Sequence, residues 1–173
     1  MNIREATLDD LPAALAIYAH ACETSTATWD YEAPTLEMMR ERFRQRAAAN
    51  HPFLVADAGN GETAGFAYAS SFHPHDGFRF TVEDTIYVAE GWQRQGIGRQ
   101  LLDALIGACE ARGFRQMIAG ISMPGGDHSL RFHEAAGFRK VAEFPAVGWK
   151  HGQWLSAHYL QRPLGEGAET LPE

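Results

Sequence analysis

Residues 81–99 constrain this chain more than any other stretch, because they read as a strand, a glycine turn and a helix in immediate succession. Thr81–Val88 is expected to be a strand, and Ile97, Leu101, Leu105 and Cys109 recur at helical spacing until Gly113 stops the pattern. Between them stand Gln93, Arg94, Gln95, Gly96, Ile97, Gly98 and Arg99. Glycine lets the backbone take unusual φ and approach a ligand closely, and the first N–H groups of a helix have no partner inside it. Those free donors, with the positive end of the helix dipole, favour an anion. The stretch is neither the G-x-G-x-x-G dinucleotide fingerprint nor a P-loop, which would end in Gly-Lys-Ser/Thr. What remains, Q-x-x-G-x-G beside two arginines, suits a pyrophosphate; a tight turn before an ordinary helix is the alternative reading.

The rest of the chain interleaves helices and strands in the same way. Residues 3–7 are expected to form a strand, and Thr7 with Asp10 a capping box that starts a helix carrying Leu11, Leu15, Ile17, Tyr18 and Cys22 on one face. The polar residues 23–28 break from it as a loop, and Thr35 caps a second helix through Leu36, Met39, Phe43 and Ala47. Residues 53–56 and 64–71 read as strands joined by a Gly59-Asn60-Gly61 hairpin turn. After residues 81–112 come an apolar strand at 116–121, a loop at 124–127, a short helix at 129–136 closed by Gly137, and strands near 140–144 and 155–161. A mixed α/β fold over residues 1–164 is expected, with a disordered, acidic tail at 165–173.

Composition sets the surroundings. With 173 residues and 45% hydrophobic content the chain can bury one core, and it is short for two. A net charge of −7 disfavours a nucleic-acid partner held by phosphate neutralisation. No run approaches the roughly 20 apolar residues of a spanning helix, so no membrane partner is expected. Cys22 and Cys109 lie far apart within apolar helical patterns, which points to buried free thiols and a reducing cytoplasm. His73 and His75 have metal-ligand spacing without a third ligand, and no metal is expected.

The strand and Gln93–Gly98 turn, the apolar strand at 117–121 and the closing His133, Glu134, Ala135, Ala136, Gly137, Phe138 together resemble the GNAT superfamily of N-acetyltransferases. Residues 23–26 (Glu-Thr-Ser-Thr), Gly77-Phe78-Arg79 with Thr81-Val82-Glu83, and Lys150-His151-Gly152-Gln153-Trp154 look like the phosphinothricin and methionine sulfoximine or sulfone acetyltransferases. The resemblance spans about residues 3–164. It implies a GNAT acyl-CoA N-acyltransferase fold: a central, mostly antiparallel sheet splayed at the acetyl-CoA site and flanked by helices. It also implies that the backbone of Ile86, Tyr87 and Val88 holds the pantetheine of acetyl-CoA and that Arg94, Gln95, Gly96, Ile97, Gly98 and Arg99 hold its pyrophosphate. Glu83 falls where the family has its general base, and its pKa needs raising by burial or by a neighbouring charge such as Asp84. Strand alternation sends those two side chains to opposite faces. His133 falls where many relatives have a tyrosine that protonates the leaving thiolate, as a proton donor or as a contact to the thioester end.

Acceptor recognition is assigned to His73, Pro74, His75 and Arg79 with Glu83, Asp84 and Thr85. Some relatives have Arg-Pro-Phe where this chain has His73-Pro74-His75, and histidine cannot pair bidentately with a carboxylate as arginine does. Arg79 either holds a carboxylate or braces its loop. Gly126 stands where the family has a pantetheine-contacting asparagine, so Asp127 or a backbone group takes that place. The activity implied is acetyl-CoA-dependent N-acetylation of the α-amino group of a small amino-acid analogue by direct transfer, in a homodimer. Other amines (a polyamine, an aminoglycoside, a protein N-terminus) and a non-catalytic acyl-CoA sensor are the alternatives.

Overall fold

A computed structural model describes residues 1–59 and 61–172. Its seven strands form one sheet in the order β1-β2-β3-β4-β5-β7-β6. They are β1 (Asn2–Glu5), β2 (Phe53–Asp57), β3 (Thr63–Ser71), β4 (Thr81–Val88), β5 (Gln116–Met123), β6 (Arg139–Lys150) and β7 (Gln153–Pro163). The helices are α1 (Leu11–Thr24), α2 (Leu36–Ala48), α3 (Ile97–Ala111) and α4 (Asp127–Ala135). Every neighbouring pair of strands is antiparallel except β4 and β5, which run parallel. The mixed, mostly antiparallel sheet flanked by helices is the fold that the sequence resemblance implied.

Alternation along the strands splits the core between the two faces. Leu54 and Ala56 of β2, Ala67 and Ala69 of β3, and Met117, Ala119 and Ile121 of β5 pack with Leu101, Leu102, Leu105 and Cys109 of α3. Phe53, Val55 and Phe66 face the other way, against Leu11 and Ala14 of α1 and Met39 of α2. Both cysteines are free and buried. The capping box closes a 3-10 turn at Leu8–Asp10 that leads into α1, where the Asp10 carboxylate accepts from the Thr7 N–H at 2.7 Å, and Thr35 Oγ1 accepts from Met38 at the start of α2. No helix among the described residues is long and apolar enough to cross a membrane.

The largest departure from the sequence reading is the terminal hairpin. Strands expected near 140–144 and 155–161 run instead over Arg139–Lys150 and Gln153–Pro163, turning through His151 (φ 49°) and Gly152 (φ 75°). Two positive φ values suit the two-residue turn that matches strand twist. β6 is an edge strand, exposed along most of its length, and its register shifts twice, around Pro145 and Ala146 among others. Exposure and bulges erase the period-2 pattern by which a strand is recognised. Asn60 of the expected hairpin turn lies outside the described residues; its neighbours Gly59 and Gly61 have φ of 90° and 82°. Of the residues assigned to the tail, 165–168 form turns and 169–170 a bend, with Arg115 donating to Thr170 Oγ1 at 3.0 Å and to the Leu171 carbonyl at 3.2 Å; Glu173 lies outside the described residues.

Candidate active site

The site begins where two parallel strands part. β4 and β5 pair only at Thr81–Gln116, Val82–Met117 and Glu83–Ile118, and beyond that fork they diverge. The rest of β4 keeps its pairing to β3 on one edge and leaves the other edge open. Unpaired backbone groups in a sheet are a template for an extended ligand bearing amides. A cavity of about 810 Å³ fills the gap and takes in Glu83, Asp84, Thr85, Ile86, Tyr87 and Val88. Gln93 and Gly98 line it at one end, and Ser129 and His133 of α4 line it as well.

Past β4 the chain turns into α3 through Arg94 (φ 58°) and Gly96 (φ 80°). Gly96 is the cap residue, and no side chain caps this helix end, so its first donors stay available. The arginines differ. Arg99 is committed to Asp103, with Nε 2.8 Å from Oδ2, and donates to the Ala135 carbonyl at 3.1 Å. Arg94 carries none of the hydrogen bonds or ion pairs found among the described residues, and Gln95 donates to the Gly91 carbonyl.

At the fork Glu83 and Asp84 do point to opposite faces. Glu83 faces the α1 side, where Gly120 of β5 makes room: a Cβ there would lie 2.8 Å from Glu83 Oε1 and 3.4 Å from the Tyr159 ring. Burial first, and the Asp84 charge second, raise the Glu83 pKa to about 7. Asp84 turns toward α4, where its Oδ2 lies 3.0 Å from His133 Nε2. The other ring nitrogen of His133 is 2.8 Å from the Ser129 carbonyl oxygen. A carbonyl can only accept, so Nδ1 carries a proton, and a carboxylate at Nε2 calls for a second. Burial alone lowers the His133 pKa, but the Asp84 hydrogen bond and charge and the Ser129 carbonyl outweigh it, and the net shift is upward. Asp84 Oδ1 is buried without a hydrogen-bond partner among the described residues.

The remaining expected site residues fall elsewhere. His73, Pro74, His75 and Arg79 sit on the exposed loop between β3 and β4, and none lines the cavity. His73 and His75 rings are 4.9 Å apart, and Arg79 stacks on Phe80 and donates to the Asp76 carbonyl. Among the described residues no group of three or more His, Cys, Asp or Glu could hold a metal ion. Gly126, at the asparagine position, is confined: a Cβ there would collide with the Ser122 carbonyl and the Ile121 side chain. Gly120 and Tyr159 carried no signal in the sequence, whereas the buried Lys150 stood within a segment of the family resemblance, just before a His-Gly turn, and was given no role there.

Comparison with known proteins agrees with this geometry. Residues 14–138 match the Acetyltransferase (GNAT) family. The chain is 42% identical over 172 residues to the phosphinothricin N-acetyltransferase of Alcaligenes faecalis, covering 99% of this chain and 87% of that protein. It is 38% identical over 163 residues to the L-methionine sulfoximine/L-methionine sulfone acetyltransferase of Pseudomonas aeruginosa, covering 94% of each. Among solved structures, a phosphinothricin acetyltransferase from Sinorhizobium meliloti in complex with AcCoA superposes with a TM-score of 0.95 at 39% identity, over 99% of this chain and 92% of that one. A forked parallel strand pair, an uncapped glycine turn at α3 and near-full-length matches of this kind place the chain in the GNAT family of acetyltransferases.

Proposed function

We propose that this enzyme transfers acetyl from acetyl-CoA directly to the α-amino group of a small amino-acid analogue of the phosphinothricin, methionine sulfoximine or methionine sulfone type. The observation that carries the reading is Glu83, a carboxylate at the fork whose pKa is raised to about 7. A base must sit near the working pH to take a proton from an ammonium and still be ionised beforehand. Glu83 takes that proton, directly or through a water; the freed nitrogen attacks the thioester carbonyl to give a tetrahedral adduct, and as the adduct collapses the C–S bond breaks and the second nitrogen proton passes to the departing thiolate, leaving the amide and the free thiol of CoA. His133 lines the same cavity and keeps its protons between Asp84 and Ser129, so we assign it the electrostatic support of the leaving sulfur. The open edge of Ile86, Tyr87 and Val88 is suited to pantetheine amides, and the turn from Arg94 to Arg99 to the pyrophosphate.

One observation favours a second acceptor class. Among the described residues the cavity lining includes Asp30, Glu83, Asp84 and Glu90 but neither lysine nor arginine, which suits a cationic amine such as a polyamine. A thiol-release screen with acetyl-CoA over phosphinothricin, methionine sulfoximine, methionine sulfone, free amino acids and polyamines separates the two. Preference for polyamines would sink the first reading, and CoA binding with no release across the panel would leave a sensor. We place the enzyme in the cytoplasm, where its buried free thiols stay reduced. We also propose a homodimer, supported by Phe144, Val147, Trp149 and Trp154 exposed together on the β6–β7 hairpin. A monomeric mass in sedimentation velocity at micromolar concentration would dismiss it.

A further inference from the structure

Two segments of the sequence resemblance received no role in the chemistry above: residues 23–26 and Lys150-His151-Gly152-Gln153-Trp154. The structure joins them. Lys150, the last residue of β6, is 1% exposed, and its Nζ donates to the carbonyls of Ser25 at 3.0 Å and Thr28 at 2.9 Å. His151 Nε2 lies 3.2 Å from the Ser25 carbonyl. Ser122 Oγ of β5 donates to the Thr26 carbonyl, and the Tyr87 hydroxyl of β4 to the Ala27 carbonyl at 3.1 Å. Four consecutive carbonyls, 25 to 28, are therefore each held by a side chain, and Lys150 holds the first and the last.

A loop with no regular structure must find such partners for its buried backbone or stay hydrated and mobile. The strap from Ser25 to Asp30 finds them, and its far end is fixed further by the Tyr18 hydroxyl, 2.8 Å from Thr28 Oγ1 and 2.7 Å from Asp30 Oδ2. Its position is what matters for function. Tyr87 and Ser122 lie on the two strands that part at the fork, so the strap bridges the gap between them. It does so on the α1 side of the sheet, the side toward which Glu83 points, and Ser25, Ala27, Thr28 and Asp30 line the cavity there.

We propose that Lys150 is a positioning residue for the acceptor: by holding both ends of the carbonyl ladder it fixes the strap as the wall of the Glu83 half of the cavity, without touching the acceptor itself. This rests on the acetyltransfer reading above. Among the described residues no hydrogen bond or ion pair joins the strap to the α3 turn, the end suited to the pyrophosphate. Loosening the strap therefore acts on acceptor binding and spares acetyl-CoA.

The test compares Lys150→Met, which keeps the buried stem and removes the donors, with Ser122→Ala, which frees only the Thr26 carbonyl. Using methionine sulfone and acetyl-CoA, Lys150→Met raises the acceptor KM about tenfold and Ser122→Ala a few-fold, with acetyl-CoA Kd by calorimetry within threefold of wild type. Amide hydrogen exchange at residues 26–30 speeds by at least a similar factor while α3 stays protected. An unchanged acceptor KM in a folded Lys150→Met, or acceptor KM and acetyl-CoA Kd weakening in parallel, overturns the proposal. If Lys150→Met fails to fold, Ser122→Ala carries the same comparison alone. Wild-type protein that turns over none of the amines counts against the acetyltransfer reading; the exchange measurement still decides whether Lys150 holds the strap, and unchanged exchange overturns the positioning role whatever the acceptor.

Discussion

Gly120→Ala isolates the placement of the Glu83 carboxylate from the stability of the sheet around it. The added Cβ would lie 2.8 Å from Glu83 Oε1, whereas ordinary contact begins at 3.4 Å, so the carboxylate must withdraw by about 0.6 Å. Gly120 lies in regular pairing with Tyr159 at an ordinary φ, so alanine fits the backbone and gains roughly 0.5 kcal/mol of strand preference. The colliding atom is the end of a flexible side chain, and folding loses little. Catalysis loses more, because displacing a reacting group by 1 Å costs about 100-fold; a shift of this size corresponds to roughly tenfold in kcat, or about 1.4 kcal/mol. The methyl also excludes water from the carboxylate, so the acid limb of the kcat/KM profile moves above its starting value near 7. Steady-state thiol release across pH, with a thermal melt on the same samples, measures all three. Wild-type kcat in Gly120→Ala would refute the argument that the position of this carboxylate sets the rate, and a fall in Tm matching the fall in kcat would reduce it to a packing defect.

Glu83→Gln is expected to lower kcat by about 10²–10⁴ while acetyl-CoA binding, followed by calorimetry, changes less than twofold. The same variant tests the pKa: a raised folded-state value makes the native protein bind its proton more tightly, so stability is lost as pH rises from the ordinary glutamate range through about 7. Glu83→Gln removes that loss, and denaturant melts at pH 8 should show it more stable than wild type by roughly 1–3 kcal/mol, with the gap closing near pH 4. Asp84→Asn leaves the His133 ring buried without its carboxylate; a loss of about 3 kcal/mol and a His133 pKa below the wild-type value by NMR titration are expected. Gly96→Ala meets no atom within 4 Å, so its expected cost of about 1 kcal/mol is purely that of φ 80° for a residue with a Cβ, accompanied by weaker acetyl-CoA binding in calorimetry.

The half of the site suited to an anion was legible because its elements are contiguous. Thr81–Val88, the glycine turn and α3 lie within some thirty residues, and each shows its own period. Alternation also foretold that Glu83 and Asp84 would face apart, and burial as a cause of a raised pKa. What the sequence hid is long-range. Lys150 reaches carbonyls 122 and 125 positions away, and Asp84 meets His133 across 49; nothing in local pattern records such pairs. The loop from His73 to Arg79 illustrates the converse. Its residues are neighbours of Glu83 in the chain, yet none of them lines the cavity, because the strand that follows carries Glu83 away from them toward the fork.

The three rungs between β4 and β5 also bear on how the molecule holds together. In the ladder of the sheet, four strands on one side and three on the other pair only through Thr81, Val82 and Glu83 among the described residues, a short seam for a seven-stranded sheet, with α3 and the strap spanning it from the two faces. A ligand strung along the open edge would supply the missing rungs and weld the halves into one cooperative unit. Without it, the open edge is held only by α3 and the strap and should exchange its amides faster; with it, that edge should gain protection and the molecule should melt at higher temperature. Substrate, in that sense, is part of the architecture.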